Sequence, residues 1–206
     1  MTVPAEIRYA AHASRCKVHG HNRDGDRVDY AYSRHPTAEV SPLATIFPGV
    51  YIGPNVRIGD GCVIGPNTSI GQPGYGYTRT ELGQLRYRPH TAGVVIEPDV
   101  HIGANTSIDQ GRHRPTIIRT GTRIDNQVHI AHNVIVGRHC AVIAHAMLAG
   151  TVELKDFAYV APGAQIRDHV TVGRRAMVGQ GAVVLEDIPA GEVWAGVPAR
   201  KLRDAA

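Results

Sequence analysis

The stretch that decides the fold runs from Ile124 to Leu148 and reads IDNQVHIAHNVIVGRHCAVIAHAML. An aliphatic residue stands at every sixth position, and the residue two places before it is small or β-branched. Two inward positions separated by one outward position are typical of a short β-strand. Because the pattern restarts after six residues, a turn must follow each strand.

The same six-residue period extends along most of the chain. It places 21 aliphatic residues in three runs, from Val40 to Ile70, from Ile96 to Ile108 and from Ile118 to Val184. Gly, Pro, Asn and Asp fill the turns, where they supply tight bends and left-handed backbone angles. Units of this kind stack into a solenoid. Three hexads to a coil give about seven coils, so the sequence predicts an all-β parallel β-helix roughly 34 Å tall.

The period also divides the chain into three parts. Residues 1–37 do not follow it, and we expect them to form a small N-terminal cap with a strand at 28–32 and a turn at 22–26. Residues 38–185 form the β-helix domain. Residues 186–206 form a closing segment, in which a short helix is expected from Val197 onward.

Two insertions interrupt the period. The first insertion runs from Gln72 to Ala92, and the second adds four residues within 109–115. Counting hexads in threes places both insertions at the same corner of the prism. Insertions in repeat proteins concentrate on the working face, and long loops in compact folds are usually functional. The corner is therefore the expected site.

Polar residues suited to acyl transfer stack at this corner. His132 follows Ile130 by two residues, and steps of one coil lead to Gly150 and then to the pair Asp168-His169. A base beside a backbone N–H that holds an oxyanion is the arrangement that acyl transfer needs. The residues alone leave open whether His132 is catalytic or an ordinary turn residue. His90 is expected to be mainly solvated, and His113 and His129 to lie on the surface.

Bulk composition excludes several classes of protein. The chain has 206 residues, a net charge of +4 and only 5% aromatic residues, without the dense basic and aromatic face of a nucleic-acid binder. Phosphate-bearing small molecules or an acidic carrier protein fit the charge better, with the nearest basic cluster at Arg112, Arg114, Arg119 and Arg123. Cys62 and Cys140 fall on the interior stripe and predict buried thiols. No signal or membrane-spanning run is seen, so no membrane insertion and a cytoplasmic location are expected.

Three segments resemble the bacterial UDP-3-O-acylglucosamine N-acyltransferases of lipid A synthesis, namely residues 124–134, residues 102–111 and Gly74-Tyr75-Gly76-Tyr77. The resemblance implies a left-handed β-helix and a homotrimer with active sites between chains. It also implies His132 as general base, Gly150 as oxyanion donor and His169 as a second active-site histidine. The candidate substrate-binding residues of these segments are Asp109, Asn126, Gly74, Tyr75 and Tyr77.

The C-terminal tail resembles a different group of hexapeptide enzymes. Residues 187–201 are similar to the ending of acetyltransferases that use acetyl-CoA, which implies that Arg200 and Lys201 meet CoA phosphates. Met147 faces outward just before the corner, where its bulk would shorten an acyl pocket. The sequence therefore predicts an N-acyltransferase that moves a short acyl group from acetyl-CoA, or another thioester, to a nucleotide-linked amino sugar of surface polysaccharide or lipopolysaccharide synthesis.

The sequence leaves three alternatives open. The first is a UDP-3-O-acylglucosamine N-acyltransferase of lipid A synthesis that uses an acyl carrier protein thioester. The second is a metal-dependent hydratase such as a γ-type carbonic anhydrase, although the corner lacks the histidine pair five residues apart that those enzymes use, and no metal is expected. The third is a non-catalytic scaffold.

Overall fold

The computed structural model describes residues 14–21 and 27–205, so the expected turn at 22–26 lies outside it. The described chain begins with an antiparallel hairpin of β1 (Ser14–His21) and β2 (Arg27–Arg34), which includes the strand predicted at 28–32. Seven coils of three short strands follow. In each coil the chain runs through three faces of a prism, which in the first coil are face B (Glu39–Val40), then face C (Thr45–Ile46), then face A (Tyr51–Ile52).

The first two coils contain β3 (Glu39–Val40), β4 (Thr45–Ile46), β5 (Tyr51–Ile52), β6 (Val56–Ile58), β7 (Val63–Ile64) and β8 (Ser69–Gln72). The first insertion then forms a hairpin of β9 (Tyr77–Arg79) and β10 (Leu85–Tyr87). The remaining five coils contain β11 (Val94–Ile96), β12 (His101–Ile102), β13 (Ser107–Asp109), β14 (Thr116–Ile118), β15 (Arg123–Ile124), β16 (His129–Ile130), β17 (Ile135–Val136), β18 (Ala141–Val142), β19 (Met147–Leu148), β20 (Glu153–Leu154), β21 (Tyr159–Val160), β22 (Gln165–Ile166), β23 (Thr171–Val172), β24 (Met177–Val178) and β25 (Val183–Val184). The chain ends with β26 (Glu192–Ala195) and β27 (Arg200–Asp204).

Each face of the prism is a sheet whose coil strands pair in parallel. On face A, Ile70, Ile108, Ile130, Leu148 and Ile166 stack in register, one coil above another, as the hexad count predicts. The hairpin β1–β2 extends face A, while β26 and β27 extend face C, so that these two sheets count nine strands each. The β-helix is confirmed, and its end strands lengthen the seven complete coils to about nine turns.

The two interior stripes form the core. Of the 21 periodic aliphatic residues, only Val40, on the first coil strand, is not fully buried. The second stripe is buried as well, apart from the half-buried Ala44. Two of its threonines satisfy backbone carbonyls of the next coil: Thr68 Oγ1 donates to the Gly103 carbonyl at 2.7 Å and Thr122 Oγ1 to the Gly137 carbonyl at 2.7 Å. Interior polar groups thus pair between coils.

The prediction of a helix from Val197 onward is wrong. Strand β26 pairs with β24 in parallel, and β27 returns antiparallel along β26, so the tail continues face C as a hairpin. Pairing with the open edge of the sheet satisfies the backbone of the tail without a helix. Within residues 14–21 and 27–205 there is no helix, and hence none that could cross a membrane.

The buried thiols are confirmed. Cys62 and Cys140 are both buried and unpaired, and burial raises the pKa of each, to about 11 for Cys140. The side chain of Cys16 lies outside the described part of the structure.

Candidate functional site

Both insertions leave the prism at the A–B corner, the edge where the chain turns from face A to face B. The Gln110 N–H donates to the Gln72 carbonyl at 3.0 Å, and Gln110 Nε2 donates to the Gly71 carbonyl at 3.1 Å. The Gly111 N–H donates to the Gly93 carbonyl at 3.0 Å. The predicted common corner is confirmed, and hydrogen bonds join the two insertions there.

The side chain of His132 lies against the backbone of Gly150, one coil above it. A Cβ atom placed on Gly150 would stand 2.6 Å from His132 Cε1 and 2.8 Å from Nε2. The Gly150 carbonyl accepts the N–H of His169, whereas the Gly150 N–H donates to no acceptor among the described residues. The structure therefore brings His132, Gly150 and His169 together at the corner, with one backbone donor left unused.

The neighbouring residue Asn133 orients the His132 ring. The Arg112 N–H donates to Asn133 Oδ1 at 2.7 Å, which turns Asn133 Nδ2 toward His132 Nδ1 at 3.1 Å. Because an amide nitrogen can only donate, Nδ1 accepts here, and the neutral ring carries its hydrogen on Nε2. Arg112 belongs to the second insertion, so that insertion helps to fix the histidine.

The first insertion contributes His90, a residue that was expected to be mainly solvated. That expectation is wrong, because His90 is only 1% exposed and its ring lies 4.6 Å from the His132 ring at 41°. Burial, followed by the proximity of His132 and Arg112, lowers the pKa of His90 to about 4, and the backbone of Arg88 offsets this in part. His90 is thus a neutral ring that covers one side of His132. Because His90 lies in an insertion that does not follow the six-residue period, the hexad pattern could not predict its position.

The electrostatic setting keeps His132 neutral near pH 7. Burial, and then the nearby Arg112 guanidinium and His169, lower the pKa of His132 below its ordinary value of 6.5, while Asp168 acts in the opposite direction. His169 is exposed, and its Nε2 lies 3.8 Å from Asp168 Oδ2. A neutral imidazole is able to accept a proton, as a general base must.

A second polar group lies on the other side of the first insertion. Asp109 is only 5% exposed, accepts a hydrogen bond from Gln72 Nε2 at 3.2 Å and has its Oδ2 3.9 Å from His129 Nε2. Burial raises the pKa of Asp109 above its ordinary value, against the opposing effect of Gln72 and His129. With Tyr75 and Tyr77 these residues line a cavity of about 520 Å³. His129 therefore lines this cavity together with Asp109, whereas its outward strand position had suggested ordinary surface.

The two glycines of Gly74-Tyr75-Gly76-Tyr77 allow the first insertion to approach the corner. A Cβ atom on Gly74 would lie 3.2 Å from His132 Cβ and 3.3 Å from Asp109 Oδ2, and one on Gly76 would collide with the His90 ring. The backbone at these two positions is close to the site, and any larger residue would push it away. The rings of Tyr75 and Tyr77 contact each other at 5.0 Å and remain exposed.

Three other predicted site residues lie away from this corner within the described chain. Asn126 sits one hexad earlier, at the C–A corner, where its Oδ1 accepts the Ala104 N–H at 2.7 Å. Arg200 and Lys201 lie on β27, at the edge of face C, with Arg200 paired to Glu186 at 2.9 Å and Lys201 paired to two carboxylates. The two basic residues thus have carboxylate partners already.

Met147 lies on the outer side of face A, half-buried between His129 and Gln165 of the adjacent coils. Its strand, Met147–Leu148, ends just before the A–B corner at Gly150. Its position fits the predicted contact with an acyl chain, which stays a prediction.

The basic cluster expected from the sequence is divided by the fold. Arg123 pairs with Asp99 at 3.1 Å, Arg114 donates to the Asn133 carbonyl at 3.2 Å, and Arg119 lines a depression on face B. Of these four arginines, only Arg112 lines the cavity beside His132. Among the described residues, no three His, Cys, Asp or Glu side chains are grouped as metal ligands would be.

Comparisons with known proteins agree with the fold and with the sequence resemblance. Residues 42–72 match the family model described as bacterial transferase hexapeptide (six repeats). A protein of Methylobacterium nodulans named UDP-3-O-acylglucosamine N-acyltransferase is 39% identical over 133 residues, which are 65% of this chain and 38% of that protein. A protein of the same name from Methylorubrum extorquens strain PA1 is 36% identical over 132 residues, which are 64% of this chain and 37% of that protein.

Solved structures show the same architecture. LpxA from Acinetobacter baumannii superposes with a TM-score of 0.59 at 27% identity, over 82% of this chain and 72% of that one. The UDP-N-acetylglucosamine acyltransferase LpxA from Bacteroides fragilis gives 0.66 at 23% identity, over 82% and 73%, and supports the fold alone. The chain spans less than two-fifths of the length of the curated relatives it matches. The chain is therefore a hexapeptide-repeat β-helix protein that is similar to the UDP-3-O-acylglucosamine N-acyltransferases.

Proposed function

We propose that the protein is an N-acyltransferase that moves an acyl group from a thioester to the amine of a UDP-linked amino sugar of the 3-O-acylglucosamine type. The observation that carries the proposal is the contact of the neutral His132 ring with Gly150, whose N–H has no acceptor in the part of the chain that the structure describes. The relatives named above act, by their names, on UDP-3-O-acylglucosamine. They support this acceptor more than the wider class of nucleotide-linked sugars.

The proposed reaction is a direct transfer at the A–B corner. The amine nitrogen attacks the thioester carbon, a C–N bond forms, and the carbonyl electron pair moves onto oxygen. His132 takes the proton that the nitrogen loses on Nε2; for this the ring hydrogen must be on Nδ1, which requires the Asn133 amide to turn its Nδ2 donor away from Nδ1. The Gly150 N–H donates to the oxyanion. The C–S bond then breaks, and the sulfur takes the proton from His132 and leaves as the thiol.

Two further groups support the reaction from the sides. His90 covers one side of the His132 ring and excludes water from it. His169, held by its backbone bond to Gly150, lies where it can orient the substrate. Asp109 and His129 line the neighbouring cavity of about 520 Å³ together with the tyrosines of the first insertion, and there they are suited to contact the sugar. We also propose the homotrimer implied by the resemblance.

The identity of the thioester donor is a separate part of the proposal. Acetyl-CoA was expected partly because Arg200 and Lys201 were available for its phosphates, but both already pair with carboxylates. We therefore propose an acyl carrier protein thioester as the acyl donor, with acetyl-CoA as the second candidate. Incubation of the purified protein with UDP-3-O-acylglucosamine and either donor, with the amide product detected by mass spectrometry, tests both. Product from the carrier-protein thioester is expected; product from neither donor would refute the proposed function.

A further inference from the structure

A cavity of about 300 Å³ lies between the two insertions, beside His132. Its basic lining residues are Arg88 and His90 from the first insertion, Arg112 and His113 from the second, and His132 and His169 from the coils. No Asp or Glu is among the residues that line it. Both insertions therefore contribute basic side chains to one small space, and His113, which is exposed as expected, is one of them.

The guanidinium of Arg112 is the centre of this charge. Arg57, Arg123 and Arg200 elsewhere pair with Glu39, Asp99 and Glu186. The half-buried Arg112, in contrast, makes no side-chain hydrogen bond or ion pair among the described residues, and only its backbone N–H is engaged. A guanidinium offers several donors in a planar fork that matches phosphate oxygens. Arg112 lines the cavity, and these donors have no partner among the described residues.

The surroundings show that this positive charge is not compensated. Arg112 and His113 lower the pKa values of both His90 and His132, and Asp168, which is paired with His169, only partly opposes this at His132. The positive charge at the cavity therefore has no carboxylate counterpart among the residues that line it.

We propose that this cavity is the subsite for the diphosphate of the sugar nucleotide, with Arg112 as its main anchor. The inference rests on the proposed function, since the diphosphate belongs to the acceptor. In a 2-amino sugar nucleotide, the amine is on the carbon next to the one that bears the diphosphate. In CoA, the whole pantetheine arm separates the thioester from the diphosphate. A phosphate subsite beside His132 therefore fits the amino sugar and not CoA.

Calorimetric titration of the full chain with inorganic pyrophosphate, UDP and CoA tests the subsite. Arg112→Gln is compared with Arg86→Gln, which removes the same charge from an exposed residue of the first insertion that does not line the cavity. Charge-assisted hydrogen bonds to phosphate are strong, so Arg112→Gln is expected to weaken pyrophosphate and UDP about tenfold or more and Arg86→Gln much less. The difference should shrink as salt is added.

Several outcomes would overturn the inference. One is equal weakening by both variants, and another is no pyrophosphate binding by the wild type. A loss of CoA binding without loss of UDP binding in Arg112→Gln would assign the anion to the donor instead. Binding is measured without turnover: acyl transfer without Arg112-dependent anion binding refutes the subsite alone, whereas anion binding without acyl transfer refutes the proposed function alone. Unchanged thermal unfolding of Arg112→Gln confirms that the variant is folded.

Discussion

The imidazole of His132 and the backbone of Gly150 lie so close that a methyl group on Gly150 would stand 2.6 Å from His132 Cε1. Gly150→Ala should therefore push the ring aside while leaving the backbone N–H in place. We expect turnover to fall at least about tenfold with little change in stability, because catalytic groups tolerate displacements of about 1 Å poorly.

A double-mutant cycle separates this effect from a general defect. In a His132→Ala background there is no ring to displace, so Gly150→Ala should cause no further loss of turnover. Equal losses in both backgrounds would show that Gly150 acts independently of His132.

The tautomer of His132 gives a second prediction. In the structure Asn133 donates to Nδ1, which places the ring hydrogen on Nε2, the nitrogen near Gly150. Asn133→Asp has the same shape, still accepts the Arg112 N–H, and accepts from Nδ1–H with its second oxygen. Nε2 then becomes the basic nitrogen, and the carboxylate raises the pKa of His132. Turnover should be retained or increased, and the acidic limb of the profile of kcat/KM against pH should move to higher pH.

The opposite result would be informative. A folded Asn133→Asp protein with strongly reduced turnover would mean that the reaction needs Nε2–H as a donor, and His132 would not be the general base. Long-range ¹H–¹⁵N spectra of the histidine rings report the tautomer directly, with His132→Ala used to assign the signal.

Burial of His90 predicts how stability depends on pH. Its pKa in the folded chain is about 4, against an ordinary value of 6.5. Below pH 6.5 the unfolded chain binds a proton that the folded chain does not bind until about pH 4, so acidification through this window favours unfolding. His90→Gln removes that titration. Urea unfolding at pH 7 and pH 4.5 should show a larger loss of stability for the wild type than for His90→Gln; equal losses would contradict the assignment.

Thr151 predicts a stabilising substitution at the corner. It is β-branched, yet it adopts a positive φ of 65°, a conformation that is costly for such residues. Asn133, at the equivalent position one coil earlier, adopts φ 60°. Thr151→Asn should therefore stabilise the chain by about 1 kcal/mol, measured by denaturant unfolding. An unchanged or lower unfolding free energy would show that the Thr151 backbone is not strained.

The hexad pattern is sufficient to predict the prism and the corner. Because each coil repeats after three hexads, the residue above any position is known, and His132, Gly150 and His169 could be placed together from the sequence. The same rule places Asn126 one corner earlier, and its inclusion in the site followed the resemblance instead of the count. The positions predicted from the hexad count therefore agree with the structure wherever the chain follows the six-residue period.

The insertions explain what the sequence could not predict. His90 and Arg112 reach His132 through a hairpin and a short bulge that follow no repeat, so their positions depend on tertiary hydrogen bonds such as Gln110 to Gly71. Arg200 and Lys201 were expected to be available for phosphate, but the tail folds back along face C and pairs them with acidic residues. Local sequence does not specify partners of this kind.

The most direct test of the central claim is turnover by His132→Ala, compared with His139→Ala, at a position on the B–C corner where the ring stacks on Phe157. With UDP-3-O-acylglucosamine and a thioester donor, His132→Ala is expected to lose about 10²- to 10⁴-fold in rate, the value of general-base assistance, while its thermal unfolding stays unchanged and His139→Ala remains active. A folded His132→Ala protein that forms the amide at the wild-type rate would contradict the account.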